Sequence, residues 1–219
     1  ASRAAADLST LAAISRKRPA PAQRARPAGP SAAEVSQAAA AGEYNIWHHK
    51  PSKRDRGQAK VPASTKCDPA RDAGRTRGNT DPTAYICQYF AKGCCTNGVE
   101  CALLHRVPDD EDTAKQDVAH DVFGRERHAS NRSDTSGAGR VSQEQRTLYV
   151  GRLVDRPRLQ ELAREMFGQY GRLESLRVFG PRGFAFVTYA HRANAEFAYQ
   201  ATMDQKPPGE AAGCINVRW

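Results

Sequence analysis

Large aliphatic side chains are scarce in this chain: Leu, Ile, Val and Phe together make up 33 of its 219 residues. That is below the level expected of a uniformly globular protein. No apolar run approaches the roughly 18 residues that cross a bilayer as a helix, which points to a soluble protein with no membrane partner. A secretory h-region is absent too, and Cys94 and Cys95 are neighbours, so a disulfide framework is not expected. There is no P-loop, no H-E-x-x-H helix and no G-x-S-x-G elbow, so the familiar enzyme signatures are missing and the chain reads as no enzyme.

The scarcity is uneven. Residues 1–42 hold only Leu8, Leu11, Ile14 and Val35, whereas 146–219 hold 17 such residues in 74, enough for a small core. The front therefore reads as a disordered Ala/Pro-rich basic tail. Its Arg16-Lys17-Arg18-Pro19 run, with Arg24 and Arg26, suits nuclear import; a solvated arm and an organellar transit segment are the alternatives. The formal charge of +9 calls for a polyanionic partner. Residues 107–141 run against that trend with 8 acids and 5 bases, and their Gly/Ser-rich stretch reads as a surface linker.

Cys87, Cys95, Cys101 and His105 follow a C-x7-C-x5-C-x3-H spacing. Three thiolates and an imidazole suit one tetrahedral zinc ion, and a segment this poor in apolar residues needs the metal as its core. The closed four-ligand set leaves no open position for catalysis. Cys94 could replace Cys95 at the cost of x6 and x6 spacings; the x7-x5-x3 pattern matches the CCCH zinc fingers. His48, His49 and Cys67 are weaker candidates for a second site. Leu104 stands where many RNA-reading CCCH fingers carry an aromatic, so the finger is expected to brace more than to stack.

Arg182-Gly183-Phe184-Ala185-Phe186-Val187-Thr188-Tyr189 fills every position of the RNP1 pattern of the RNA-recognition motif. Strand alternation puts Phe184, Phe186 and Thr188 on one face and Ala185, Val187 and Tyr189 on the other. Upstream, 148–153 resembles RNP2, with Tyr149 on the RNA face and Arg152 where Asn is common. Between them Leu159, Leu162, Ala163, Met166 and Phe167 mark an amphipathic helix ending near Gly168 and Gly171. Leu176 and Val178 mark a strand. Ala193, Phe197 and Ala201 line a second helix, and Cys214–Trp219 forms a last strand with Asn216 and Arg218 on the RNA face. The fold class is α+β, with a ferredoxin-like βαββαβ domain over 146–219. Candidate RNA contacts are Tyr149, Arg152, Arg182, Phe184, Phe186, Asn216 and Arg218; Arg182, at the strand start, would meet a phosphate.

Other stretches carry a resemblance: Asn45-Ile46-Trp47, Lys66–Arg77, Cys101–Pro108, Phe123–Arg127, Arg146–Leu153 and Ile215–Trp219. Together they resemble the Cwc-two family of pre-mRNA-splicing factors, whose animal relative is RNA-binding motif protein twenty-two, over about residues 43–219. The resemblance implies a torus domain at 43–84 wrapped around the finger at 85–108, a connector at 109–145 and the RNA-recognition motif. It implies one compact monomeric unit in the nucleus and in the NineTeen complex of the spliceosome. There it would contact U6 small nuclear RNA and the intron near the 5′ splice site, helping to hold the catalytic RNA. Tyr44 and Trp47 are then anchors of the torus or stacking platforms, with the core favoured for Trp47; Tyr89 and Phe90 pose the same choice.

Two other readings remain. A splice-site selector like the small U2 auxiliary factor subunit would carry a degenerate RNP face, unlike this one. A messenger-RNA regulator of processing, stability or export would read a short linear sequence.

Overall fold

The computed structural model describes residues 17–25, 44–45, 50–51, 62–115, 117–130, 137–141, 145–209 and 213–219. Residues 26–60 form one unit, in which Tyr44–Asn45 (β1) and Lys50–Pro51 (β2) pair antiparallel, Tyr44 opposite Pro51. The other described residues belong to a second unit.

The first half of that second unit has little regular structure. Pro69–Asp72 (α1) begins with proline at a position where no intrahelical N–H is needed. Gln88–Ala91 (α2) starts at Cys87, whose Sγ accepts the Phe90 N–H at 3.4 Å. Single bridges do the rest: Ile86 pairs with Leu104, Gly74 with His105, and Pro19 with Arg75. Asp110–Lys115 (α3) opens on three acids, which suit the positive end of a helix.

The second half is the expected βαββαβ domain. Its elements are Thr147–Gly151 (β3), Leu159–Gly168 (α4), Leu173–Phe179 (β4), Phe184–Tyr189 (β5), Arg192–Thr202 (α5) and Asn216–Arg218 (β6). The antiparallel sheet runs β4-β5-β3-β6. Leu148, Val150, Ala185, Val187, Ile215 and Val217 are buried on its helix side, as alternation requires. The last strand is shorter than Cys214–Trp219 because pairing to β3 covers only Asn216 to Arg218.

Helix α5 joins the two halves. All eleven of its residues are buried, where a helix on one face of a sheet alone would leave a polar side in water. Phe197 lies 5.9 Å from Phe90 of α2, 6.3 Å from Phe123 and 5.8 Å from Tyr170, ring centre to ring centre. Gln200 accepts from Gln88 at 3.1 Å, and Asn194 donates to the Pro108 carbonyl at 2.9 Å.

Two boundaries expected from composition are corrected here. Residues 17–25, assigned to the disordered tail, lie against the finger. Their polar groups meet backbone partners there, so little apolar surface is needed to hold them. The connector is anchored ahead of its Gly/Ser-rich stretch, most of which lies outside the described residues: Asp121, Val122, Phe123 and Arg127 are buried, and Val122 donates its N–H to Glu196 at 2.9 Å.

Candidate nucleic-acid interface and metal centre

Pairing of β3 with β5 sets Tyr149 opposite Phe186 and Gly151 opposite Phe184, and β6 places Arg218 opposite Tyr149 and Asn216 opposite Gly151. Residues opposed in a ladder share a face. Tyr149, Phe184 and Phe186 therefore form one patch, their ring centres 5.7–5.9 Å apart. Phe186 is 38% exposed and the other two are half-buried, which leaves flat rings open to bases.

A fourth ring belongs to this patch. Phe179, 37% exposed on β4, stacks on Phe184 at 4.9 Å and meets Phe186 edge-on at 6.3 Å. The RNP patterns do not include this strand. Extending the Leu176, Val178 alternation by one residue places Phe179 opposite to the core, which is the signal that finds it. Arg177, exposed and opposite Phe186, adds a cation to the same face.

Arg182 lies outside β5, contrary to expectation. It closes a 3-10 turn, Gly180–Arg182, and Gly183 in the left-handed region (φ 68°) then redirects the chain into the strand. Its side chain is exposed at the sheet edge. Arg152, also exposed, follows β3 with φ 63°. Asn tolerates that conformation better than other residues with a Cβ, so the substitution of Arg has a backbone cost as well as a chemical one.

Cys87, Cys95, Cys101 and His105 are buried, and one potential ligand atom from each lies within 4.8 Å of all the others. The Sγ atoms of Cys95 and Cys101 are 3.8 Å apart. A tetrahedron with metal–sulfur bonds of about 2.3 Å has edges of about 3.8 Å, so this pair fits such a site. His105 is 0% exposed and neither ring nitrogen has a hydrogen-bond partner, an expensive state that a metal bond relieves. Burial holds the His105 pKa down at about 4, leaving the ring neutral and its lone pair available. Burial likewise raises the Cys87 and Cys101 thiols, so thiolates form there only with a cation to stabilise them. Phe90 stacks on His105 at 4.9 Å. Cys94 is buried outside this cluster, which resolves the choice in favour of Cys95.

The 17–25 segment straps this centre. Gln23 takes the Cys95 N–H on its Oε1 at 2.9 Å and gives its own N–H to the Cys95 carbonyl at 2.8 Å. Its Nε2 donates to Asp72 at 3.0 Å and to the Phe90 carbonyl at 3.3 Å. Arg18 donates to the carbonyls of Ala70, Arg71 and Ala73 at 2.6–3.2 Å, at the end of α1. Gly74 permits the approach, since a Cβ there would sit 2.5 Å from Ala20 Cα. Charge density in the 17–25 run suggested solvent; only the path of the chain reveals the carbonyls.

Among the remaining candidates, Tyr89 is 62% exposed and free to stack. Phe90 is not: it is fully buried between His105 and Phe197, which corrects its place among the RNA contacts. Trp47, His48 and His49 lie outside the described residues, and Tyr44 is described in its backbone only. Cys67 is buried apart from the four-ligand cluster, its carbonyl accepting the Tyr170 hydroxyl at 3.2 Å.

Comparison with known proteins agrees with this geometry. The family model of the Torus domain matches residues 15–125, beginning ahead of the strap, and that of the RNA recognition motif matches residues 148–211. The pre-mRNA-splicing factor cwc2 of Dictyostelium discoideum is 41% identical over 180 residues, covering 81% of this chain and 33% of its own. The chain belongs to the Cwc2 family of Torus-domain proteins. The pre-mRNA-splicing factor cwf2 of Schizosaccharomyces pombe is 38% identical over 179 residues, 80% of this chain and 45% of the relative. The CWC2 of Yarrowia lipolytica is 39% identical over 184 residues, 80% and 47% respectively. The chain thus spans a third to just under a half of the length of these relatives.

Proposed function

We propose that this protein is an RNA-binding pre-mRNA-splicing factor that works in the nucleus as a monomeric scaffold and not as an enzyme. The observation that carries this reading is the four-ring patch of Tyr149, Phe179, Phe184 and Phe186 on an open sheet, beside the exposed Arg177 and Arg218. Aromatic rings at this spacing stack unpaired bases, each contact contributing about 1–3 kcal/mol, and the arginines hold the backbone. Arg152, Arg182 and Asn216 extend the path, and Tyr89 offers a further platform on the finger. A cleft of about 720 Å³ flanked by Arg18, Arg24, Lys66 and Arg71 gives the same unit a second basic surface.

One structural zinc ion, held by Cys87, Cys95, Cys101 and His105, would pin the short loops of the finger beside the buried Ile86, Phe90 and Leu104. The relatives' names as splicing factors and the family resemblance support a place in the NineTeen complex. They also support contact with U6 small nuclear RNA and the intron near the 5′ splice site. Ultraviolet crosslinking of the zinc-loaded protein to U6, to an intron fragment and to an unrelated linear RNA tests this. Crosslinks at Tyr149, Phe184 or Phe186 that favour U6 and intron are expected. Equal yield on the linear RNA would favour a messenger-RNA regulator.

A further inference from the structure

A groove of about 490 Å³ runs along the far side of the Ile86–Leu104 bridge, within the size range of ligand clefts. Its apolar part is made by Ile86, Leu104 and Val122, all buried, with Tyr85 standing 44% exposed beside them. Its rim has the opposite sign to the protein as a whole. Asp81, Glu111 and Asp117 line it against Lys115, in a chain of formal charge +9, while Asp112 is paired with Arg106 and the buried Asp121 with Arg125. Arg106 is itself neutralised, bonded to Asp112 and 3.0 Å from Asp109. Phosphates are repelled from such a rim, and cations are drawn to it.

We infer that this groove is a docking site for a Lys/Arg-rich segment of a partner protein, seated by one apolar side chain on Ile86, Leu104 and Val122. Charge complementarity selects this occupant: an acidic rim around an apolar floor accepts alternating basic and apolar side chains. Tyr85 can take a guanidinium over its ring. The site is separate from the aromatic sheet face, so RNA and a basic segment would be held at once on surfaces of opposite sign.

The test is fluorescence anisotropy of the zinc-loaded full chain with a fluorescein-labelled nonapeptide of arginine and lysine around a central leucine. Asp81→Asn combined with Glu111→Gln and Asp117→Asn is expected to weaken binding at least tenfold, and Tyr85→Ala at least threefold. Glu161→Gln with Glu165→Gln, exposed acids on α4, should leave it unchanged. A probe with glycine in place of leucine should bind several-fold more weakly. Zinc content and affinity for an RNA oligonucleotide, measured on each variant, should match the wild type. The inference is overturned if the triple variant binds as before, if the α4 variant loses as much, or if the glycine probe binds equally. It is also overturned if the triple variant loses RNA affinity, which would make the groove an RNA site.

Discussion

Arg127 grips Glu196 across 69 residues of chain, through Nη2 at 2.7 Å and Nε at 3.1 Å, with both side chains almost wholly out of water. Arg192 adds a third contact to the same carboxylate oxygen at 2.9 Å. Losing one member of a buried ion pair leaves an unpaired charge and costs about 3–5 kcal/mol. Glu196→Gln is therefore expected to destabilise the protein by about that amount. Urea unfolding checks it, and because the pair joins connector to α5, the loss should move the whole second unit in one transition.

Gln23→Ala removes the acceptor of the Cys95 N–H and the partner of Asp72. Each buried group left unsatisfied costs about 1–3 kcal/mol, and a lost partner of a metal ligand typically lowers metal affinity about 10–100-fold. Faster zinc transfer to a chromophoric chelator is the expected readout. Gln23→Glu would retain the acceptor but set a second carboxylate beside Asp72, so it should not rescue.

Acid should release the metal and weaken the fold. His105 has a pKa of about 4 when buried, below its ordinary value of 6.5, so the unfolded chain binds its proton first. Stability from this group is full above pH 6.5 and falls as pH drops to about 4, by about 3 kcal/mol in all. The raised thiols do not add to this loss of fold stability, but they make zinc binding proton-coupled in the same direction, since zinc must displace their protons. Zinc affinity should thus rise with pH between 5 and 8, as competition titrations at several pH values can measure.

Phe179→Ala should weaken RNA binding by about 1–2 kcal/mol while leaving the melting temperature nearly unchanged, because the ring is exposed on an edge strand. Phe184→Ala with Phe186→Ala should weaken it further. The informative comparison is oligonucleotide length: the Phe179 effect should vanish on an RNA too short to reach β4.

Arg152→Asn should act with opposite signs on stability and affinity. Relief of the left-handed backbone at φ 63° is expected to stabilise by about 0.5–1 kcal/mol. Loss of one phosphate contact should reduce the slope of log K against log salt by about 0.7–0.9. Thermal unfolding and salt titration read the two effects separately.

The RNA-recognition fold was legible because alternation and helical periodicity are local: Tyr149, Phe184 and Phe186 can be assigned to a face by counting. The buried cluster of Cys87, Cys95, Cys101 and His105 that could hold a metal was legible because its spacing is compact. What escaped the sequence depends on distant backbone. Gln23 lies 72 residues from Cys95 and is one glutamine in an Ala/Pro-rich stretch, with nothing to mark it as a strap. The burial of Arg127 escaped for the same reason, since it looks solvated until Glu196 is found beside it. Phe90 misled because an aromatic next to a ligand cysteine suits a stacking platform and a core equally well, and only its contact with Phe197 decides.

The burial of α5 on every side bears on how this protein can be altered by recombination. Its Asn194, Glu196 and Gln200 are matched to specific groups on the finger and connector, and Trp219, stacked on Tyr199 at 5.7 Å, donates to the Gly137 carbonyl at 2.6 Å. A homologous sheet grafted from another RNA-recognition motif would bring its own rings for bases but a solvent-facing helix in place of α5. The chimaera would lose its foothold. Exchange of the sheet would therefore require redesign of the finger and connector surfaces that α5 meets.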